Sequence, residues 1–165
     1  MTISAIKTPR LIIRPLTLAD VDFIIEQFNE PDVLHFIGNL NISTTVNATE
    51  YIIDGPQLSY QQNGYGSMAI CLKGHESVAI GLAGLLKRVE SNYPELGYTL
   101  LSKYYGYGYG KEAAKAVLAH YLEYKTILAQ VSPDNVVSKK LLVSLGFQFS
   151  YSDETTRTET YQLNR

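Results

Sequence analysis

The sequence lacks tryptophan and contains a single cysteine, Cys71, among its 165 residues. One cysteine cannot form an internal disulfide, and its position in an apolar run favours a buried thiol in a reducing compartment. The chain also lacks the roughly 18 consecutive apolar residues of a membrane-spanning helix, and its N-terminus has no apolar signal segment. We therefore expect a cytoplasmic protein without a membrane partner.

An excess of positive charge is missing too. Fourteen Lys and Arg residues stand against sixteen Asp and Glu residues, for a formal net charge of −2. Because nucleic-acid binders usually carry a basic face, we expect no nucleic-acid partner, whereas a cationic substrate is compatible with this balance. The three histidines have no spacing typical of a metal site, so no metal centre is expected. No repeat, linker or low-complexity segment divides the chain, which predicts one domain over residues 1–165.

What the sequence does contain is a glycine-rich turn between a predicted strand and a predicted helix. Gly106, Gly108 and Gly110 alternate, a spacing that differs from the P-loop and from the dinucleotide-binding pattern. Helical spacing of apolar residues begins at Lys111. The first N–H groups of a helix have no intrahelical acceptors and favour an anion, most often a phosphate. The alternative is a tight connection whose glycines serve the turn only, which is the commoner case for three glycines taken alone.

Hydrophobic periodicity predicts an α/β (α+β) fold, with a mostly antiparallel, twisted sheet of about seven strands and flanking helices. The predicted strands cover 10–16, 65–73, 78–89, 95–101, 126–131, 147–151 and 158–163. Helices are predicted over about 17–29, 32–37, 49–62, 111–123 and 132–145, with Gly55-Pro56 a candidate break in the third. The fourth helix is long enough for the crossover that one parallel strand pair requires.

Three motifs occur in order along nearly the whole chain. They are TPRLIIRPLTLADVDFI near the N-terminus, ELGY followed by YGYGYGKEA at the turn, and NVVS followed by LGF in the last predicted helix. Together they resemble the GNAT superfamily of acetyl-CoA-dependent N-acetyltransferases, and within it the RimJ/RimL-type branch. The resemblance implies that two central parallel strands splay and hold the pantetheine arm of acetyl-CoA as a pseudo-strand.

The resemblance also implies which residues contact the cofactor. Leu100 would offer backbone groups to the pantetheine arm, and Asn135 and Ser138 would lie near the thiol end. The turn would surround the pyrophosphate with backbone N–H groups, through Tyr105, Gly106, Tyr107, Gly108, Tyr109, Gly110 and Lys111. Tyr105 replaces the Gln or Arg that is usual in the family and brings no charge. We therefore expect about one decade of weaker affinity, with Lys111 compensating in part.

For catalysis, the resemblance implies direct attack of a neutral amine on the thioester, with a general base, an oxyanion donor and a general acid. RimI-type relatives use a Glu and a Tyr at positions that here hold Gln130 and Leu142, so that pair is absent. Ser138 is the candidate acid, and its alternative is a hydroxyl that bonds local backbone. Glu95, acting directly or through a water, is the candidate base, and its alternative is a solvated carboxylate at the start of a strand.

The expected acceptor is a protein N-terminal amine, as in ribosomal-protein acetylation. A small amine (polyamine, amino acid or aminoglycoside) is the second hypothesis, and a non-catalytic acetyl-CoA-binding module is the third. An open groove would favour a peptide and a closed acidic pocket a small cation. Asp153 and Glu154 are weaker candidates for contacting a positive substrate, and Tyr98 and Tyr161 either line the acceptor pocket or belong to the core. The sequence leaves the oligomeric state open between a monomer and a homodimer.

Overall fold

One eight-stranded sheet forms the centre of the computed structural model, which describes residues 3–165. Its strands are β1 (Ile6–Lys7), β2 (Leu11–Pro15), β3 (Ser67–Leu72), β4 (Ala79–Leu86), β5 (Glu95–Leu100), β6 (Thr126–Val131), β7 (Gln148–Asp153) and β8 (Thr158–Asn164). The strand order is β1-β2-β3-β4-β5-β6-β8-β7, and only the β5–β6 pair is parallel. The predicted mixed sheet is confirmed. The additional strand, β1, has two residues, too few for alternation to be read.

Six α-helices flank the sheet. They are α1 (Val21–Phe28), α2 (Pro31–Phe36), α3 (Thr45–Ile52), α4 (Leu58–Asn63), α5 (Tyr109–His120) and α6 (Val136–Ser144). The helix predicted over 49–62 is interrupted at its candidate break, Gly55-Pro56, because a π-helical turn, Ile53–Gln57, separates α3 from α4. The first of these two helices begins earlier than predicted, at Thr45. Pro56 lies inside that turn, where it can neither donate a backbone hydrogen bond nor fit a regular helix. Among the described residues, no helix is long and apolar enough to cross a membrane.

The two faces of the sheet carry separate hydrophobic cores. On β3, Met68 and Ile70 pack in the core that includes α5, whereas Ala69 and Cys71 pack in the core that includes α1 and α3. Alternate strand residues point to opposite faces, so both cores draw on the same strands. Cys71 is fully buried, and burial raises the pKa of its thiol. This confirms the prediction that the Cys71 thiol is buried.

The parallel strands β5 and β6 separate soon after they meet. They pair only at Glu95 and Leu128, where the Leu128 N–H donates to the Pro94 carbonyl at 3.0 Å. On the other side of β5, the Leu101 N–H donates to Ile80 of β4 at 2.9 Å. Because backbone groups alternate along a strand, those of Tyr98 and its even-numbered neighbours face β6 across the resulting gap. The predicted splay of the central strands is therefore confirmed.

Candidate functional site

A cavity of about 790 Å³ passes through the gap between β5 and β6. Phe28 and Tyr51 line it from α1 and α3 on one face of the sheet, and Ser138 and Leu142 line it from α6 on the other. The sequence therefore brings three of its predicted site residues, Glu95, Asn135 and Ser138, to one cavity. The glycine turn lies outside its walls.

The glycine turn has the open backbone geometry that was predicted. Gly106 and Gly108 have φ values of +83° and +80°, a region that residues with side chains rarely adopt. A Cβ added at Gly106 would meet no atom within 4 Å, so the backbone there is accessible. Gly108 is the N-cap of α5, and its carbonyl accepts from the Glu112 N–H at 3.1 Å. The amides before Glu112 therefore lack intrahelical acceptors and are available to an anion.

Arg10 is a cation at this turn that the sequence reasoning missed. Its Nη1 donates to the Tyr107 carbonyl at 2.8 Å, and its guanidinium carbon lies 4.6 Å from the centre of the Tyr109 ring. A Cβ at Gly108 would lie 3.5 Å from Arg10 Nη2. Arg10 belongs to the first of the three motifs, but no local pattern indicates that a residue so distant in sequence contacts the turn.

Tyr105, at the start of the turn, lies close to acidic side chains. Burial raises the pKa of its hydroxyl, and the carboxylates of Asp32 and Glu30 raise it further. This environment favours the neutral phenol, so Tyr105 can donate one hydrogen bond to an anion and brings no negative charge. Lys111 is exposed at the beginning of α5. The weaker cofactor affinity expected from Tyr105 thus stays a prediction, and Arg10 is a further cation that lies beside the turn.

Leu100 ends β5 beside a buried amide. Its carbonyl accepts from Nε2 of Gln27 at 3.3 Å, and the same Nε2 lies 3.3 Å from Oγ1 of Thr99. Gln27 is fully buried, and its Oε1 has no partner among the described residues. The sequence placed Gln27 in a helix but gave no sign that it reaches the end of the central strand.

Glu95 is buried and ion-paired. Only 4% of its surface is exposed, and Arg88 donates to both carboxylate oxygens from Nε and Nη2, each at 3.0 Å. The hydrogen bond to Glu95 is the main cause of a raised pKa at Arg88. The alternative of a solvated carboxylate is therefore wrong. Both residues line the cavity, so Arg88 is a further site residue that the sequence did not reveal.

Ser138 is fixed from two sides. Asn135 caps α6, and its Oδ1 accepts from the Ser138 N–H at 3.1 Å. The Ser138 hydroxyl lies 2.8 Å from the hydroxyl of Tyr98, across the gap on β5. Burial raises the pKa of Tyr98, which keeps this phenol protonated near neutral pH. Asn135 therefore holds Ser138 in place, and the Ser138 hydroxyl contacts another side chain.

The remaining predicted candidates lie elsewhere. Tyr161 is buried in the core and its hydroxyl donates to Glu159 at 3.2 Å, so of the two strand tyrosines only Tyr98 lines the cavity. Asp153 organises the β7–β8 turn, because its Oδ1 accepts from the amides of Thr155 and Thr156 at 2.9 and 3.3 Å. Neither Asp153 nor Glu154 belongs to the cavity wall.

Comparison with known proteins identifies the family. Residues 10–148 match the model of the Acetyltransferase (GNAT) domain. The chain belongs to the GNAT acetyltransferase family. It is 30% identical over 147 residues to the uncharacterized N-acetyltransferase p20 of Bacillus licheniformis, a match that covers 86% of this chain and 80% of that protein. The family expectation drawn from the three motifs is confirmed.

Solved GNAT structures share the fold over almost the whole chain. An acetyltransferase from Agrobacterium tumefaciens superposes with a TM-score of 0.83 at 24% identity, covering 100% of this chain and 96% of that one. RimL, a ribosomal L7/L12 alpha-N-protein acetyltransferase in complex with coenzyme A, superposes with a TM-score of 0.84 at 12% identity, covering 98% of both chains. At these identities the likeness establishes the fold alone and does not identify the substrate that accepts the acetyl group.

Proposed function

We propose that this GNAT acetyltransferase moves an acetyl group from acetyl-CoA to the N-terminal amine of a protein. The observation that carries the proposal is the cavity through the β5–β6 gap, whose wall extends from Ser138 on one face to the helices α2–α4 on the other. A donor and an acceptor can thus approach one point from opposite faces of the sheet.

The residues present fit acetyl-CoA, which supplies an activated acetyl thioester when bound. At the open backbone of Gly106 and Gly108 a pyrophosphate can lie close to main-chain N–H groups. Arg10 and Lys111 add positive charge beside it. Backbone groups of Tyr98 that have no β6 partner are suited to the amides of the pantetheine arm. RimL, which shares the fold, was solved with coenzyme A.

The cavity wall favours a peptide over a small polycation. Its charged residues are two carboxylates, Asp54 and Glu95, and two cations, Lys87 and Arg88. A site for a polyamine would need an excess of carboxylates to offset the cation's desolvation. The exposed part of the wall also includes apolar side chains, at Ile37, Leu40, Leu58 and Val89.

Two residues supply the proton chemistry in this proposal. Glu95, held by Arg88, accepts the proton of the attacking amine, directly or through a water. The carbon–sulfur bond of the thioester then breaks, its electron pair stays on sulfur, and Ser138 donates a proton to that sulfur. A backbone N–H on the gap side of β5 stabilises the negative charge that develops on the acetyl oxygen.

Thiol release from acetyl-CoA tests the proposal on three acceptors. These are short peptides with a free N-terminus, the same peptides with a blocked N-terminus, and a polyamine. We expect turnover with free N-termini only. Turnover that is faster with the polyamine would overturn the peptide assignment. Binding of acetyl-CoA without turnover on any amine would instead support the non-catalytic module, to which the absence of RimI-type acid and base residues also points.

A further inference from the structure

Tyr98 and Ser138 make a side-chain contact across the gap where the main chains of β5 and β6 no longer pair. Their hydroxyl oxygens are 2.8 Å apart, and both residues line the cavity. They are 40 residues apart in sequence and lie on different elements, so the contact depends on the fold.

The surroundings favour one direction for this hydrogen bond. Asn135 fixes the Ser138 main chain through the N–H at 3.1 Å. The Tyr98 hydroxyl also lies 3.3 Å from the Ser138 carbonyl, an acceptor only. The phenol has a single proton, which it can share between Oγ of Ser138 at 2.8 Å and the Ser138 carbonyl at 3.3 Å. The shorter contact makes Oγ the main acceptor, and the serine proton is then free to point elsewhere.

A serine hydroxyl is a weak acid for this task when it acts alone. After it gives its proton to a leaving thiolate, the remaining alkoxide is a much stronger base than the thiolate was. A hydrogen-bonded phenol reduces this difficulty, because its own proton can shift to the serine oxygen as the serine proton leaves, and a phenolate is a much weaker base than an alkoxide. In a buried site, the hydrogen bonds within such a chain strengthen one another.

We infer that Tyr98 is a positioning residue that directs the Ser138 proton into the cavity and replaces it as it departs. The inference rests on the proposed acetyl transfer. Sulfur gains the Ser138 proton as the carbon–sulfur bond breaks, and Ser138 gains the Tyr98 proton. The phenolate regains a proton from solvent, and Glu95 releases to solvent the proton that it took from the amine. No external oxidant or reductant is needed.

The opposing hypothesis is that the hydroxyl pair only braces α6 against β5. The two hypotheses differ in what happens to the coenzyme A thiol. A donor network aimed at sulfur stabilises the thiolate and lowers the pKa of the bound thiol, whereas a brace does not.

The test compares Tyr98→Phe, Ser138→Ala and the double variant. Tyr161→Phe is the matched control, because it removes a strand tyrosine hydroxyl that lies outside the cavity wall. For each protein, coenzyme A binding is measured by calorimetry. The thiol is then titrated by its thiolate absorbance, after subtraction of the acetyl-CoA complex to cancel the tyrosines. Thermal unfolding shows whether each variant is folded.

We expect Tyr98→Phe and Ser138→Ala each to raise the pKa of the bound thiol by about one unit, with no further rise in the double variant. Turnover with the best acceptor should fall about tenfold in Tyr98→Phe, with the KM for acetyl-CoA changed less than about twofold. Tyr161→Phe should match the parent in both measurements.

The inference would be overturned if the pKa of the bound thiol were unchanged in Tyr98→Phe, or if the two single changes in that pKa added in the double variant. Either result would leave the proposed function standing. Failure of the parent protein to bind coenzyme A would overturn both. If Tyr98→Phe does not fold, Ser138→Ala serves in its place, because it leaves the Tyr98 ring intact. An unchanged pKa of the bound thiol in Ser138→Ala would overturn the inference equally.

Discussion

Arg10 and Glu112 form an ion pair that joins the start of β2 to the first turn of α5, with Nε and Oε2 2.6 Å apart. Oε1 of Glu112 also accepts from Oγ1 of Thr8 at 2.6 Å and from the Arg10 N–H at 3.0 Å. Desolvation opposes the charge of Glu112, but these hydrogen bonds prevail and hold the pKa of Glu112 below its ordinary value. A carboxylate thus keeps a guanidinium against the glycine turn.

This geometry predicts that Arg10 and Glu112 affect cofactor binding differently. Arg10→Gln removes the cation beside the turn and should weaken coenzyme A binding about tenfold, in proportion to one charge-assisted hydrogen bond. The loss should shrink at high salt. Glu112→Gln keeps the cation and most hydrogen bonds, so affinity should change less than about twofold.

Calorimetry at two salt concentrations measures the coenzyme A affinity of both variants, with Lys115→Gln as the control for loss of an exposed charge on α5. Equal losses in Arg10→Gln and Glu112→Gln would show that the pair acts only by holding the turn.

Features with a local signal could be predicted from the sequence. Asn135 as a helix cap and Gly146 as the residue that ends α6 follow from short-range chemistry, and both hold in the structure. Thr17 forms a capping box with Asp20 at the 3-10 turn Leu18–Asp20, which precedes α1. The alternation of Gly106, Gly108 and Gly110 was enough to indicate an exposed turn before a helix.

Features that depend on long-range contacts could not be predicted from the sequence. Arg10 meets Glu112 across 102 residues of sequence, and Tyr98 meets Ser138 across 40. Neither pair has a periodicity or spacing that a sequence displays, because the strand order brings them together. Arg88 is only seven residues from Glu95, but the intervening turn conceals that the two face one another. Glu95 could therefore be proposed from the sequence, but the cation that holds it could not.

Glu95 and Arg88 give a second pair of predictions. If Glu95 is the base, Glu95→Gln should lower turnover about 100-fold or more, because a general base typically contributes that much. Folding stability should change little, since the Arg88 side chain is 51% exposed and can turn to solvent. Arg88→Gln removes the guanidinium that donates to both Glu95 oxygens and holds them in place, so turnover should fall as well, though by less than in Glu95→Gln. Steady-state kinetics across pH check both, and a Glu95→Gln rate equal to that of the parent would leave water as the base.

Arg14 and Asp20 predict how stability depends on pH. Arg14 donates to both Asp20 oxygens at 2.8 and 2.9 Å, and the Thr17 N–H donates at 2.9 Å. Burial opposes ionisation of Asp20, but these bonds outweigh it and lower the pKa of the carboxyl. The contribution of ionised Asp20 to folding stability is therefore complete above the carboxyl's pKa in the unfolded chain, about 3.9. It is lost as the pH falls through the lower pKa of the folded state.

The matching experiment is urea unfolding of the parent protein and Asp20→Asn between acidic and neutral pH. We expect Asp20→Asn to lose about 3 kcal/mol near neutral pH, because Arg14 is left partly buried without its partner. The difference between the two proteins should narrow as pH falls below about 4. A difference that is constant across the range would contradict the assignment.

Arg165 should stabilise the C-terminal end of α5. Its guanidinium donates to the carbonyls of Leu118, Tyr121 and Tyr124 at 2.6, 2.5 and 3.1 Å, where a cation also interacts favourably with the helix dipole. Arg165→Ala should lower the free energy of unfolding by about 2 kcal/mol, and Arg165→Lys by less, since the charge remains without the fork of donors. Urea denaturation measures both, and equal effects of the two substitutions would exclude a role for the fork.

The central claim is that the backbone of the glycine turn holds the pyrophosphate of acetyl-CoA, and calorimetry of coenzyme A binding to Gly108→Glu tests it most directly. Gly74→Glu is the control, because Gly74 also has a positive φ, +85°. No atom lies within 4 Å of its Cβ position, and at Gly108 the atom within that distance is Arg10 Nη2, at 3.5 Å. Both substitutions thus impose similar backbone strain and the same charge. We predict that Gly108→Glu abolishes binding while Gly74→Glu binds within about twofold of the parent. Parent-like binding by a folded Gly108→Glu protein would contradict the account.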